Sequence, residues 1–452
     1  MASRAVSRTS GRSRARPWGR LSGRLLGGGA LVLGALLLRL LAGVGFANYD
    51  TLYALLWGQQ LSRGETPLYG VPVAPTPHPL LEALGLLLSP LGPAAAEGVT
   101  VALGFLALAG CGWVIYRLGA AWFGRAAGAL AALILLTRMP ILAYGVRAYA
   151  DIPYLLLLLS ALLVETRRPR AGAPVLALLA LAGLLRPEAW AFSGIYWLYL
   201  AAPALRGSRG LEEEPGAGVA PGEPPDRARL ARLALLAASA PLLWMLGDLL
   251  VTGNPLWSLT NTRSTAQTLD RVRGIGKVPE YIPRRIGEIL RPPVLVGAAL
   301  GGVLSLLWLP ARSSVRTGAL AGALAVLVFA AFATVGLPID TRYAFPVAAI
   351  LALFCAAGVL GWVGLEKGDP RRRLWMAAGP SSQWGSSPTR PRSTARSTVK
   401  CAASAARRRS RGTSSRSWRT TLSPSAAARW GFPTTAPSPS SRSVCARAPR
   451  TS

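Results

Sequence analysis

The residues with chemistry to offer sit in a few polar stretches of an otherwise apolar chain. Asp50 follows the apolar run that ends at Ala47, in the segment NYDTLYALLWGQQLSRGETPLYG. A carboxylate held at a membrane–water boundary can accept a proton from an incoming hydroxyl. The same aspartate, standing before Thr-Leu-Tyr-Ala-Leu-Leu-Trp, is also a good helix N-cap, a role that needs no catalysis. Asp151 opens RAYADIPYLLLLLSALL with the same two readings, and Arg138 and Arg147 flank it as candidate partners. Arg186, Pro187 and Glu188 form a tight turn in GLLRPEAWAF, where a local Arg–Glu pair is the plain structural explanation. Further on, TGNPLWSLTNTRSTAQTLDRVRG supplies Trp257, whose ring face suits a sugar, and Arg263 within a run of arginines. Such arginines can hold a phosphate bidentately, although anchoring at a lipid interface explains them too. Finally, GLPIDTRYAFP puts Asp340, Arg342 and Tyr343 at the mouth of the last apolar run, with Arg342 able to face a lipid-linked phosphate.

Other chemistries are poorly supplied. The chain has one histidine, His78, so a multi-histidine metal site is excluded. Cys111 and Cys355 fall inside apolar runs, and Cys401 and Cys445 lie near the C-terminus, without metal or disulfide spacing.

The elements that must position these residues are apolar helices. The chain is 51% hydrophobic and 15% charged, with a mean hydropathy of +0.37. Soluble domains usually carry closer to a quarter charged residues. Apolar stretches near the ~20 residues needed to cross a bilayer run roughly over 25–47, 95–117, 121–138, 147–165, 172–186, 188–205, 230–251, 293–310, 317–337 and 343–363. Leu80 to Pro90 is apolar but short, and reads as interfacial or re-entrant. The expected fold is therefore all-α, a polytopic transmembrane bundle of about ten spans over residues 25–365. Its basic termini are expected to be disordered: an arm over 1–24 and a tail over 366–452.

Charge orients the bundle. The arginine-rich arm and the basic loops after alternate spans belong on the cytoplasmic side under the positive-inside rule. A Pro/Gly/Glu-rich linker at about 206–229 falls on that side as well. The loops at about 48–79 and 252–292 then face outward, so the expected location is the plasma membrane with both termini cytoplasmic. The net charge of +31 suggests nucleic acid at first sight, but 17 Lys and Arg lie after residue 370, where no acid occurs. That leaves +14 for the remainder, and a nucleic-acid partner is not expected. The tail's Ser/Arg/Ala/Thr/Pro vocabulary is what a reading-frame shift near residue 370 of a GC-rich gene would produce.

This pattern resembles the integral-membrane GT-C glycosyltransferases, particularly bacterial family 39-type and mannosyltransferase-like proteins. In that group an essential acid directly follows the first helix, matched here by Asp50, and many members carry a second acid before the fourth helix, matched by Asp151. The turn Arg186–Glu188, the segment TGNPLWSL and the segment RYAFP resemble pieces common in actinobacterial members. Many members have adjacent acids in the first loop, whereas Thr51 follows Asp50 here, so any pairing falls to Asp151.

The resemblance implies transfer of a sugar, with mannose a candidate, from a polyprenyl-phosphate donor to an acceptor on the extracytoplasmic face. Asp50 would be the general base with Asp151 beside it. Arg342, Arg263 and Arg186 would hold the donor phosphate, and Tyr49, Trp257, Glu188 and Tyr343 would contact sugar or acceptor. No cofactor or metal-ligand set is evident, although some relatives use a divalent cation. The bilayer and a polyprenyl-phosphate-linked sugar are the expected partners. A lipid or solute transporter or flippase, with Asp248 as its intramembrane charge, is the competing reading. A catalytically silent protein of the same fold is a third.

Overall fold

A computed structural model describes residues 18–207, 227–309 and 312–378, all within a compact unit spanning residues 1–385. Among the described residues every regular element is a helix: α1 (Trp18–Ala42), α2 (Tyr49–Ser62), α3 (Pro79–Leu88), α4 (Pro93–Trp122), α5 (Arg125–Leu136), α6 (Met139–Val146), α7 (Asp151–Arg167), α8 (Ala173–Leu185), α9 (Glu188–Gly207), α10 (Arg227–Thr252), α11 (Trp257–Thr268), α12 (Val278–Trp308), α13 (Ser313–Thr334), α14 (Phe345–Leu360) and α15 (Pro370–Ala378). An isolated antiparallel bridge joins Arg273 to Pro338.

Each expected span coincides with a helix, but the helices differ in length. Five are long and apolar enough to cross a membrane: α4, α10, α12, α13 and the stretch Thr341–Gly364 built on α14. The pair α5 and α6, bent by 67°, would make a sixth if it is one broken span. At ~1.5 Å per residue, the 13 residues of α8 fall short of a ~30 Å hydrocarbon core. The chain is thus a membrane protein by the length and composition of its helices.

The most deeply buried element is α14, which packs against α12, α5 and α13. Its contact with α12 depends on small residues, because a Cβ on Gly301 would overlap the Phe354 carbonyl. Close backbone approach of this kind suits helices in lipid, where apolar burial alone gives little drive to associate. Likewise α2 and α3 lie against one another through Gly58 and Gly85; a Cβ on Gly85 would come within 2.8 Å of the Leu55 Cα. The short apolar stretch after residue 79 is therefore a helix stacked on α2, which satisfies its backbone without spanning.

Three boundaries move. Helix α1 begins at Trp18, inside the expected arm. Helix α10 begins at Arg227, inside the expected linker. The expected tail starts too early, because residues 370–378 form α15, whose Trp375 is fully buried against Trp308 and Gly361. A large aromatic with a prepared slot outweighs the polar composition around it. The rest of the tail, with the frame-shift expectation, and most of the arm and linker lie outside the described residues.

Candidate functional site

Helix α2 is capped two residues earlier than its aspartate suggests. Asn48 is the N-cap, its Oδ1 accepting from the backbone N–H groups of Asp50 (2.8 Å) and Thr51 (3.3 Å). Its Nδ2 donates to the Arg147 carbonyl, and the Thr51 hydroxyl donates to the Ala148 carbonyl, so the start of α2 is stapled to the turn before α7. Asp50 is consequently free of capping duty. Its carboxylate meets Arg342, with Nη1 to Oδ2 at 3.3 Å.

Arg342 lies in a short helical turn, Thr341–Ala344, that leads into α14. Asp340 sits 3.7 Å from its Nε and 3.3 Å from Arg271, which comes from the segment after α11. The first half of α12 holds this turn from the side: the Arg285 Nε donates to the Ile339 carbonyl and the Thr341 hydroxyl donates to Glu288. That half ends at Arg291, which has a φ of 63° and is followed by Pro292 and Pro293. A left-handed residue before two prolines cannot continue a helix, so the first half and the apolar second half of α12 are separate rods.

A second ion cluster is sealed below. Arg186 pairs with both Asp151 and Glu188, and the three side chains are only 3–7% exposed. The guanidinium lies 4.6 Å from the Tyr343 ring centre. The local Arg–Glu pair of the turn is present, but it is one arm of a triad whose other arm comes from 35 residues earlier. The flanking arginines do not serve Asp151: Arg138 bonds the Ile134 carbonyl and Thr137, and Arg147 covers Phe46.

These groups meet at a cavity of about 510 Å³, well within the ~300–1,000 Å³ of ligand sites. Tyr49, Asp50, Arg186, Glu188, Arg342 and Tyr343 line it, and Asp151 stands behind Arg186. Two expected contacts are elsewhere. Arg263 donates to the Val335 carbonyl at 2.7 Å and does not line the cavity. Trp257 packs beside Trp57, Tyr69 and Ala74. Both belong to α11, a helix rather than an open loop, and its register turns other residues, among them Ser258, Thr262 and Ala266, to the cavity.

Three lining or neighbouring groups were not assigned to the site from the sequence. Asp248 of α10 accepts from the backbone and hydroxyl of Ser258 at 2.8 and 2.7 Å, which ties α10 to α11. His78, 8% exposed, lines the cavity, and its Nδ1 has no partner. Burial pushes its imidazole below the ordinary value, with Asp50 and Asp151 opposing and Arg186 and Arg342 adding to the effect. Just behind, the buried Glu82 of α3 accepts from the Tyr69 hydroxyl at 2.6 Å and from the His78 backbone at 3.1 Å. Burial pushes its carboxyl up to about 7, against those two hydrogen bonds. Nothing in the sequence context of His78 marked it as a cavity residue.

Among the described residues no three His, Cys, Asp or Glu side chains converge as a metal-binding group. No family model matches the chain, and neither the curated proteins nor the solved structures contain a match.

Proposed function

We propose that this chain is a membrane glycosyltransferase of GT-C type that moves a sugar from a polyprenyl-phosphate donor to an acceptor hydroxyl at the extracytoplasmic face. The observation that supports this most is Asp50, relieved of capping by Asn48 and turned to a cavity shared with Arg342 and Arg186. In this reading Asp50 takes the proton of the acceptor hydroxyl as its oxygen attacks the anomeric carbon. The bond from that carbon to the phosphate oxygen breaks, and the lipid phosphate leaves with the electron pair. Arg342, at the cavity surface, would stabilise the charge that develops on the leaving phosphate. Asp151 and Glu188 hold Arg186 in place rather than acting on substrate. The reading also takes α1, the α5/α6 pair, α7, α9 and the short α8, with the bilayer thinned around it, as further crossings, giving ten spans with both termini cytoplasmic in the plasma membrane.

A carrier would need an intramembrane charge free to bind and release its cargo. Asp248 is committed to Ser258, which favours the transferase. The test is Asp50→Asn, assayed for transfer from a polyprenyl-phosphate-linked hexose in native membranes. Activity should fall by about 10²–10⁴-fold, the usual worth of a general base. Unchanged transfer would remove Asp50 from the reaction.

A further inference from the structure

The cavity wall around His78 differs in kind from the wall that carries the arginines. His78 stands edge-on to Trp244 (6.1 Å between ring centres), which is itself edge-on to Trp190 at 5.6 Å. Thr76, Thr262 and Ser258 add hydroxyl-bearing side chains to the same cavity. Aromatic rings beside small hydroxyls and a neutral imidazole make a surface for a polyhydroxylated group rather than for an anion.

The ring's own geometry narrows its role. Nδ1 is sealed and has no partner. A proton there would be an orphaned buried donor, a larger cost than an unused lone pair. The proton therefore belongs on Nε2, the nitrogen through which the ring can meet the cavity. Protonating Nδ1 as well would add a charge without an acceptor, close to Arg186 and Arg342. Asp50, Asp151, Glu188, Asp248, Asp340 and Glu82 are the acids of the cavity and its wall, and each already has a partner. His78 is thus a fixed neutral donor, not a base.

We propose that His78, through its Nε2–H, hydrogen-bonds a hydroxyl of the sugar in this cavity and so contributes to recognition of the glycosyl part of the ligand. This rests on the transferase reading above, and it assigns the sugar, rather than the phosphate, to the tryptophan-lined wall.

Because His78 is the one histidine of the chain, imidazole nitrogen NMR of the full-length protein in phosphatidylcholine nanodiscs reports on it alone. Two probes are titrated, with binding followed independently by calorimetry: citronellyl phosphate carrying mannose, and citronellyl phosphate without it. The expected result is a shift of the Nε2 signal with the mannosyl probe and none with the bare phosphate. Binding of the mannosyl probe without a shift, or equal shifts with both, overturns the proposal and leaves the transferase reading standing. Failure of both probes to bind overturns both. His78→Gln, whose amide nitrogen reaches the Nε2 position, should bind the mannosyl probe within about threefold of the parent. His78→Asn, which cannot reach it, should lose about tenfold, the worth of one neutral hydrogen bond. Equal losses in both would mean that the ring merely fills space.

Discussion

Two arginine–carboxylate groups lie at this cavity, and they differ in almost everything except chemistry. At the rim, Asp50, Arg342, Asp340 and Arg271 form a chain of longer contacts, 3.3–3.7 Å, among side chains that are 18–39% exposed. Beneath it, Arg186 is clamped between Asp151 and Glu188 with almost no exposure. Partly wet pairs are worth little and exchange partners readily. A buried pair contributes little net stability but is very costly to break from one side. In the transferase reading, the rim is the group that could release its arginines to an incoming anion, whereas the triad would hold still. Glu82 supplies the third case, burial without a cation, and there the carboxyl is pushed towards its neutral form.

The comparison is sharpest at Arg186. Arg186→Met should cost about 3–5 kcal/mol by stranding two buried carboxylates, read as thermal unfolding in nanodiscs. Combining it with Asp151→Leu and Glu188→Leu should restore most of that loss, and no restoration would contradict a purely structural triad. Next comes Glu82. Its folded pKa lies above the unfolded value, so the folded state holds a proton that the unfolded chain gives up between about pH 4.5 and 7. Stability relative to Glu82→Gln should therefore fall by up to about 3 kcal/mol across that window and level off above it. A flat difference would show that Glu82 is charged when folded. At the rim, Arg342→Gln should leave unfolding within about 1 kcal/mol and weaken polyprenyl-phosphate binding by about 10–100-fold. The reverse pattern would erase the distinction between the two groups. Smallest is Asn48→Ala, which should lose about 1 kcal/mol as the cap disappears; a much larger effect would mean that Asp50 depends on that cap for its pose.

What could be read from the chain beforehand follows the range of each interaction. Helices α4, α13 and α14 are written in local composition and were found where expected. Asp50, Arg186, Glu188 and Arg342 stood out as charges at the ends of apolar runs, Tyr49 and Tyr343 entered as contacts that the resemblance implies, and all six line one cavity. Their partners were not legible. Asp151 finds Arg186 rather than its neighbours in sequence, and Asp50 is paired 292 residues away. Arg263 and Trp257 were chosen by residue type, but whether a side chain points to the cavity depends on the helical phase of α11. His78 was invisible for the opposite reason: its significance lies in a partner it lacks.

The broken rod α12 has one further consequence. Its first half is tied by Arg285 and Glu288 to the turn bearing Asp340 and Arg342. Its link to the apolar half passes through a left-handed arginine and two prolines, where helical hydrogen bonding is interrupted. The stiffer connection is therefore sideways, to the rim, and the weaker one is along the chain. A displacement of that half-helix would therefore be delivered to the turn bearing Arg342 before it reached the apolar half.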